Sequence, residues 1–424
     1  MPSAPPETRG VAFDVTIPRF VLAKTLGRVS DAALFGSLSG VRLRSLPDPT
    51  LPGEEWVKLE VLSCGICGSD LGNLTYSASP AMEPFGSFPA VLGHEVVGRV
   101  LEVGAGVRHV EPGQRVSVDP MISCATRGFA EPDWCRSCRD GYHSTCERAG
   151  EEGRVRVGGR PLRPGLTVGY HADLRGGWGD RMLAHASQVF PVADGIPDRR
   201  AVLMEPFAIA MHAVLQTPPR PGEPVLVIGS GTIAMGTIWA LRATGFEGDI
   251  VAQAKRPHER TLARAMGASE VVAPGPEARE ALVATGASAY MPVVGPEVYA
   301  GGGFPLIYDC VGNTASLSQA LRFAAPRGRL VVIGCVAEIR KLDLTFLWAR
   351  ELRARGSVGY GRESWRGETR HTFEITHDLM LASDAPIEDL VTHVFPLAEY
   401  RDALRAARDH RRSGAVKVVL APNA

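Results

Sequence analysis

Along Trp56-Val57-Lys58-Leu59-Glu60-Val61 apolar and polar side chains alternate, and Val41-Arg42-Leu43-Arg44 repeats the alternation over a shorter stretch. A period of two turns one face to a core and the other to water, so both stretches predict half-buried antiparallel strands. Phe20-Val21-Leu22-Ala23 reads as a further strand, and Pro-rich turns separate the segments. The first part of the chain is therefore expected to be β-rich. The pattern changes at Met204-Glu205-Pro206-Phe207-Ala208-Ile209-Ala210-Met211-His212-Ala213, an apolar run of helical character with a carboxylate near its start. A carboxylate in that setting needs a partner, and a divalent cation is one.

An uncharged run from Pro224 to Leu241 is nearly long enough for a membrane span. Glycines in its middle, and the switch from β-branched to helical patterning, predict a strand, a tight turn and a helix instead. Gly229-Ser230-Gly231-Thr232-Ile233-Ala234 then fits the turn that cradles a dinucleotide pyrophosphate, with Ala234 in the third glycine's place. A lone pair of glycines is a weak signal, and its setting strengthens it. Asp249–Ala254 predicts the next strand, followed by a helix through Arg264. Pro305–Cys310 and Arg329–Cys335 predict later strands, with Gly312 and Gly334 just past their carboxyl ends. A doubly wound parallel sheet binds its nucleotide at those ends, so Gly229, Gly231, Thr232, Ile233, Ala234, Cys310, Gly312 and Gly334 are the expected cofactor contacts.

The length of 424 residues favours two domains, and 45% hydrophobic with 22% charged residues is a globular composition. With 46 basic and 46 acidic residues the formal net charge is zero, which offers nothing to nucleic acid or to an anionic membrane surface and favours a small-molecule substrate. The N-terminus shows no basic segment leading into an apolar one, so no secretory signal is read and a cytoplasmic location is expected. The first dozen residues read as disordered. There is no internal repeat.

Six of the eight cysteines fall between Cys64 and Cys146. Clustering in a long chain without a signal points to metal binding more than to a disulfide framework. Cys64-Gly65-Ile66-Cys67-Gly68-Ser69-Asp70 and Gly93-His94-Glu95 supply thiol, hydroxyl, imidazole and carboxylate groups in two short turns, the ligand vocabulary of zinc. Either half alone is as easily a buried small hydrophobe or a hydrogen-bonded core histidine. Cys135, Cys138 and Cys146 form a compact thiolate set that wants a fourth member, for which Cys124 is nearest. Disulfides or free thiols are the alternative.

With these motifs and Glu205-Pro206, the chain from about Val41 onward resembles the zinc-dependent medium-chain alcohol dehydrogenase family, most closely its polyol and sugar dehydrogenase branch. The resemblance implies an α/β architecture of two parts. A GroES-like β-rich catalytic domain takes residues 1–205 and 338–424, the chain returning to it after about Ala337, and a doubly wound Rossmann domain takes 206–337. It implies Cys67, His94 and Glu205 as catalytic zinc ligands, with Glu95 close enough to take a turn, and leaves Cys64 a bystander. Asp70 would fix the tautomer of His94, and Ser69 would hydrogen-bond the substrate oxygen. Where many members carry a proton-relaying His this chain has Gly72, so the proton must leave by another route. The connection from Asn73 to Phe85, longer than usual, is a candidate wall of the substrate pocket. Cys124, Cys135, Cys138 and Cys146 would hold a structural zinc, although the insertion from Ala125 to Trp134 displaces the first of them.

The same resemblance puts Ala254 where NAD enzymes carry an acid that binds the adenosine ribose, with Lys255 and Arg256 beside it. Loss of the anion next to two cations suits a 2′-phosphate, so NADP(H) is expected over NAD(H), unless the two cations are only a solvated turn. A homodimer or homotetramer is implied, as are alcohol or carbonyl substrates of the polyol, sugar or amino alcohol kind. Two rivals stand against this reading. A non-enzymatic zinc-binding protein is disfavoured by the neutral charge and the complete Cys67, His94, Glu205 set. The zinc-free quinone and enoyl reductases of the same superfamily lack the Gly-His-Glu and Cys-rich motifs.

Overall fold

The computed structural model describes residues 7–27, 30–36, 38–335, 338–339 and 341–423. The chain divides into two compact units. One takes the chain as far as Glu205, then Tyr360–Leu381, then Val391 onward; the other takes Pro206–Gly359 and Ala382–Leu390. The return to the first unit thus comes at Tyr360 and not near Ala337, which itself lies outside the described residues. The reason is a strand, Arg353–Gly356, that pairs in parallel with Ala324–Val332 and so extends the second unit's sheet.

In the first unit the strand Trp56–Gly65 is central: it pairs antiparallel with Glu95–Val103, Arg181–His185 and Lys417–Ala421. Its alternation does what the sequence predicts. Val57, Leu59 and Val61 enter a core with Val96, Val100, Val118 and Met182, while Lys58 and Glu60 on the other face are only partly buried; Trp56, on that second face, is buried as well. Burial of each such aliphatic side chain contributes about 1.5–3 kcal/mol. The sheet continues outward through Arg115–Val118 to Val189–Pro191 on one side and to Val391–Pro396 on the other.

Two expectations fail near the N-terminus. Glu7–Phe13, which overlaps the stretch read as disordered, is a strand paired over its whole length with Val41–Pro47, and Gly10 to Phe13 oppose Arg44 to Val41. Phe20–Ala23 lies in a helix, Ile17–Leu26. Thr16 caps that helix through a side-chain bond from the Arg19 amide, and Pro18 in the first turn presets its backbone. Cap and proline outweigh the β-propensity of Phe20 and Val21.

The second unit is built on six parallel strands in the order Glu270–Val272, Ile250–Gln253, Val225–Ile228, Phe304–Asp309, Ala324–Val332, Arg353–Gly356. Leu226, Ile228, Val251, Phe304, Ile307 and Leu330 form its core with Leu317 and Leu321 from the helix Thr314–Phe323. The strand order reverses between Val225–Ile228 and Phe304–Asp309, and it is at the carboxyl ends of such a switch point that a sheet of this kind binds its nucleotide. Among the described residues no helix is long and apolar enough to cross a membrane.

Candidate active site

Cys67 caps the short helix Gly68–Leu74, and His94 directly precedes the strand Glu95–Val103. Gly93 turns between them with φ +92°, where a Cβ would lie 2.2 Å from the Trp178 indole, so only glycine lets His94 take its place. The ligand-type atoms of Cys67, His94 and Glu95 all fall within 4.8 Å of one another. Behind them Asp70 is fully buried. Its Oδ2 accepts from the Cys67 amide at 2.9 Å, and its Oδ1 lies 3.5 Å from His94 Nδ1. Tyr170 donates to Oδ1 at 2.8 Å, and its hydroxyl is 2.9 Å from Ser69 Oγ. A carboxylate facing Nδ1 favours a proton there, which leaves the other ring nitrogen free to ligate. Burial opposes charge on His94, but Asp70 and then Cys67 outweigh it and hold the imidazole well above its ordinary range, so a cation ligated at the other nitrogen would have to displace a proton from it.

Glu95 is buried against Lys417, whose Nζ lies 2.6 Å from both carboxylate oxygens. Gly65 makes the room, since a Cβ there would sit 1.8 Å from Glu95 Oε2. Glu205 opens the helix Met204–Gln216 but is not in the close trio. Its Oε1 accepts from the Tyr360 hydroxyl, while its Oε2 is buried without a hydrogen-bond partner. Burial raises the Glu205 carboxyl to about 7; His94 pulls the other way and Glu95 adds to the rise. The trio gathered in space therefore holds Glu95 where the resemblance puts Glu205. A thiol, an imidazole and a carboxylate converging beside an unsatisfied buried carboxylate oxygen make a donor set that fits zinc.

At Gly72 the expected gap is filled locally: the Ser77 and Ala78 amides bond the Gly72 carbonyl at 2.8 and 3.1 Å, so the Asn73–Phe85 connection folds back over this position. Cys124, Cys135, Cys138 and Cys146 are all buried and bring their sulfurs within 4.8 Å of one another, with Cys124 and Cys146 at 3.8 Å. The insertion that separates Cys124 from the rest supplies Arg127, fully buried, whose guanidinium bonds the carbonyls of Glu151, Ala149 and Gly165. A buried cation beside four thiols offsets the negative charge they carry once deprotonated. Contact with Cys138 holds the Cys146 thiol below its ordinary range.

Asp119, His143 and His371 also bring ligand-type atoms within 4.8 Å. The Phe373 amide donates to His371 Nδ1 at 3.2 Å, so the ring's own proton sits on Nε2, 3.3 Å from Asp119 Oδ2. That nitrogen has no lone pair for a cation.

In the second unit Gly229 has φ +125° and Gly231 caps the helix Thr232–Ala243, on which Ile233 and Ala234 lie in the first turn. A Cβ on Gly229 would lie 3.6 Å from the Ala234 methyl, so the alanine in the third glycine's place packs beside this turn. Cys310 and Gly312 follow the strand Phe304–Asp309, and Gly334 approaches Gly312 so closely that a Cβ would lie 2.5 Å from its nitrogen. Asp309, buried and not foreseen from sequence, holds this end together by accepting from the Val311 and Gly312 amides and the Ser316 hydroxyl. Lys255 is exposed, and Arg256 Nη1 donates to Glu259 at 2.7 Å.

Residues 53–194 match the alcohol dehydrogenase GroES-like domain model, and residues 232–374 match the zinc-binding dehydrogenase model. L-threonine 3-dehydrogenase of Anaeromyxobacter dehalogenans is 30% identical over 364 residues, spanning 86% of this chain and 90% of the relative. L-galactonate-5-dehydrogenase of Escherichia coli is 27% identical over 358 residues, 80% of this chain and 87% of that one. The crystal structure of Escherichia coli galactitol-1-phosphate dehydrogenase superposes with a TM-score of 0.69 at 21% identity, covering 98% of this chain and all of the other, which is a likeness of fold. The chain belongs to the zinc-type medium-chain alcohol dehydrogenases, in the branch of the polyol and sugar dehydrogenases, and is an NAD(P)-dependent oxidoreductase of alcohols and their carbonyl counterparts.

Proposed function

We propose that the first unit holds a catalytic zinc on Cys67 and His94, with Glu95 or Glu205 as the third protein ligand, and that the second unit binds NADP(H) in preference to NAD(H). The observation that carries the zinc reading is the convergence of Cys67, His94 and Glu95 within 4.8 Å in front of the buried Asp70. When bound there, zinc supplies Lewis-acid polarisation of the substrate oxygen, and the nicotinamide takes up or delivers the hydride. The chain's own residues orient and protonate. Asp70 holds His94 in one tautomer, and Ser69 Oγ stands ready for the substrate hydroxyl proton. Tyr170, bonded to Asp70 and 2.9 Å from Ser69, keeps that hydroxyl in place. Lys417 is the partner that Glu95 keeps when it is not a ligand.

The NADP(H) preference rests on the buried Ala254 methyl at the end of the strand Ile250–Gln253, followed by Lys255 and Arg256. The same reading gives Cys124, Cys135, Cys138 and Cys146 a structural zinc, and gives the substrate as a polyol, a sugar or an amino alcohol. It also has the protein working in the cytoplasm, where a chain whose cysteines gather in clusters is compatible with a reducing compartment, as a homodimer or homotetramer. Absorbance at 340 nm with a panel of polyols, sugars and amino alcohols and both cofactors tests the reaction. Higher kcat/KM with NADPH than NADH in the wild type, shifted toward NADH in Arg256→Ala, is the expected result. Equal or better use of NADH by the wild type would refute the cofactor preference, and a zinc-free active protein would refute the metal reading.

A further inference from the structure

We propose that Glu259 is the positioning residue of an adenosine 2′-phosphate site, holding the Arg256 guanidinium beside the glycine turn; this rests on the NADP(H) reading above. Glu259 is the third residue of the helix Pro257–Ala265 and is 6% exposed. Its Oε2 accepts from the Ser230 hydroxyl at 2.9 Å and from the amides of Arg256 and Lys255 at 3.2 and 3.3 Å. Its Oε1 accepts from Arg256 Nη1 at 2.7 Å.

An acid at the third position of a helix ordinarily caps the backbone, and the two amide bonds alone fulfil that role. The other two are more than a cap. They join Ser230, between Gly229 and Gly231 in the pyrophosphate turn, to a guanidinium at the end of the second strand of the nucleotide fold. Glu259 does not replace the ribose-binding acid absent at Ala254, because it is buried and already accepts four hydrogen bonds.

The Arg256 side chain, 23% exposed, makes no bond from Nε or Nη2 to another described residue, and Lys255 is exposed and likewise unpaired among them. The three side chains sum to one positive charge: two cations less one anion. A guanidinium has five donors in a planar fork, so one edge can be tethered while the rest faces a phosphate. Tethering also removes rotamer freedom that a phosphate would otherwise have to freeze. The carboxylate's own repulsion of a phosphate is weak by comparison, since two helix N-terminal amides, a hydroxyl and the guanidinium offset its charge.

The test is titration calorimetry of the full-length protein with adenosine 2′,5′-bisphosphate and with 5′-AMP, two probes that differ by the 2′-phosphate. The ratio of their Kd values isolates that group. In Glu259→Gln the preference for the bisphosphate should fall roughly five- to tenfold. It should fall likewise in Arg256→Ala, with no further loss in the double variant. Lost capping alone would weaken both probes together and leave the ratio unmoved. Arg256→Lys leaves every bond of Glu259 to backbone and Ser230 in place, and should also lose preference because an ammonium cannot be held as a fork. An unchanged or increased ratio in Glu259→Gln, additive losses in the double variant, or a wild-type ratio in Arg256→Lys would overturn the positioning role while leaving the cofactor reading intact. A wild type that does not prefer the bisphosphate would overturn both.

Discussion

Substituting Lys417 by Met tests the electrostatics of the proposed zinc pocket. Lys417 is 4% exposed and Glu95 1%, and the ammonium contacts both carboxylate oxygens at 2.6 Å. Burial works against the ammonium, yet Glu95 keeps its pKa raised. Met fills a similar volume, so the lost quantity is charge and not packing. Breaking a buried pair from one side costs about 3–5 kcal/mol, because the remaining carboxylate is left uncompensated. For a unit of this size each kcal/mol is worth roughly 2–4 °C, so the melting temperature should drop by about 6–20 °C. Replacing both partners, Lys417→Met with Glu95→Gln, removes the stranded charge and should recover much of the loss, a coupling that a double-mutant cycle reads directly. A bound dication offers Glu95 another partner, so the drop should be larger after chelation than in zinc-loaded protein. Thermal denaturation of all four proteins, with metal content measured in parallel, decides. If Lys417→Met melts with the wild type, or if the double variant loses the sum of the singles, the pair does not stabilise the pocket and the argument fails.

Cys67→Ala should abolish turnover and release the catalytic metal while near-native circular dichroism persists; retained zinc and rate would remove Cys67 from the site. Cys138→Ser should take zinc from about two to about one per chain and lower thermal stability before it touches the chemistry, because a closed thiolate site contributes folding free energy. Unchanged metal content and melting would contradict that. Stability should also fall on mild acidification. Burial holds His143, His171 and His185 below the ordinary imidazole value, so the unfolded chain takes up their protons first. That stability is fully present above about pH 6.5 and is lost as the pH falls through the lower folded values. His171→Asn, which can still accept from the Asp173 and Leu174 amides that bond His171 Nδ1, should flatten the slope of melting temperature against pH. An unaltered slope would clear His171.

What the sequence discloses about this fold is what is local along the chain. Alternation over Trp56–Val61 and the strand-turn-helix at Val225–Ala243 depend on neighbours within a few residues, and both are legible. So are Cys67, Ser69 and Asp70, which share one turn. The misreadings have local causes too: Thr16 and Pro18 make a helix of residues whose side chains favour strands. What stays hidden is set by partners far away in the chain. Glu95 is held by Lys417, 322 positions later, and Glu205 by Tyr360, 155 positions later, so which carboxylate stands with Cys67 and His94 turns on contacts that no motif encodes. Tyr170 reaches Asp70 across 100 positions for the same reason. Glu259 differs, because it is three residues from Arg256 and its capping position was there to be read. Its meaning comes only from Ser230, brought to the same carboxylate by parallel pairing of Val225–Ile228 with Ile250–Gln253. Charge counted along the strand end gives two free cations, whereas charge counted in space gives one free cation and one tethered to an acid. A 2′-phosphate would meet the second arrangement, and it is there that cofactor choice should be sought.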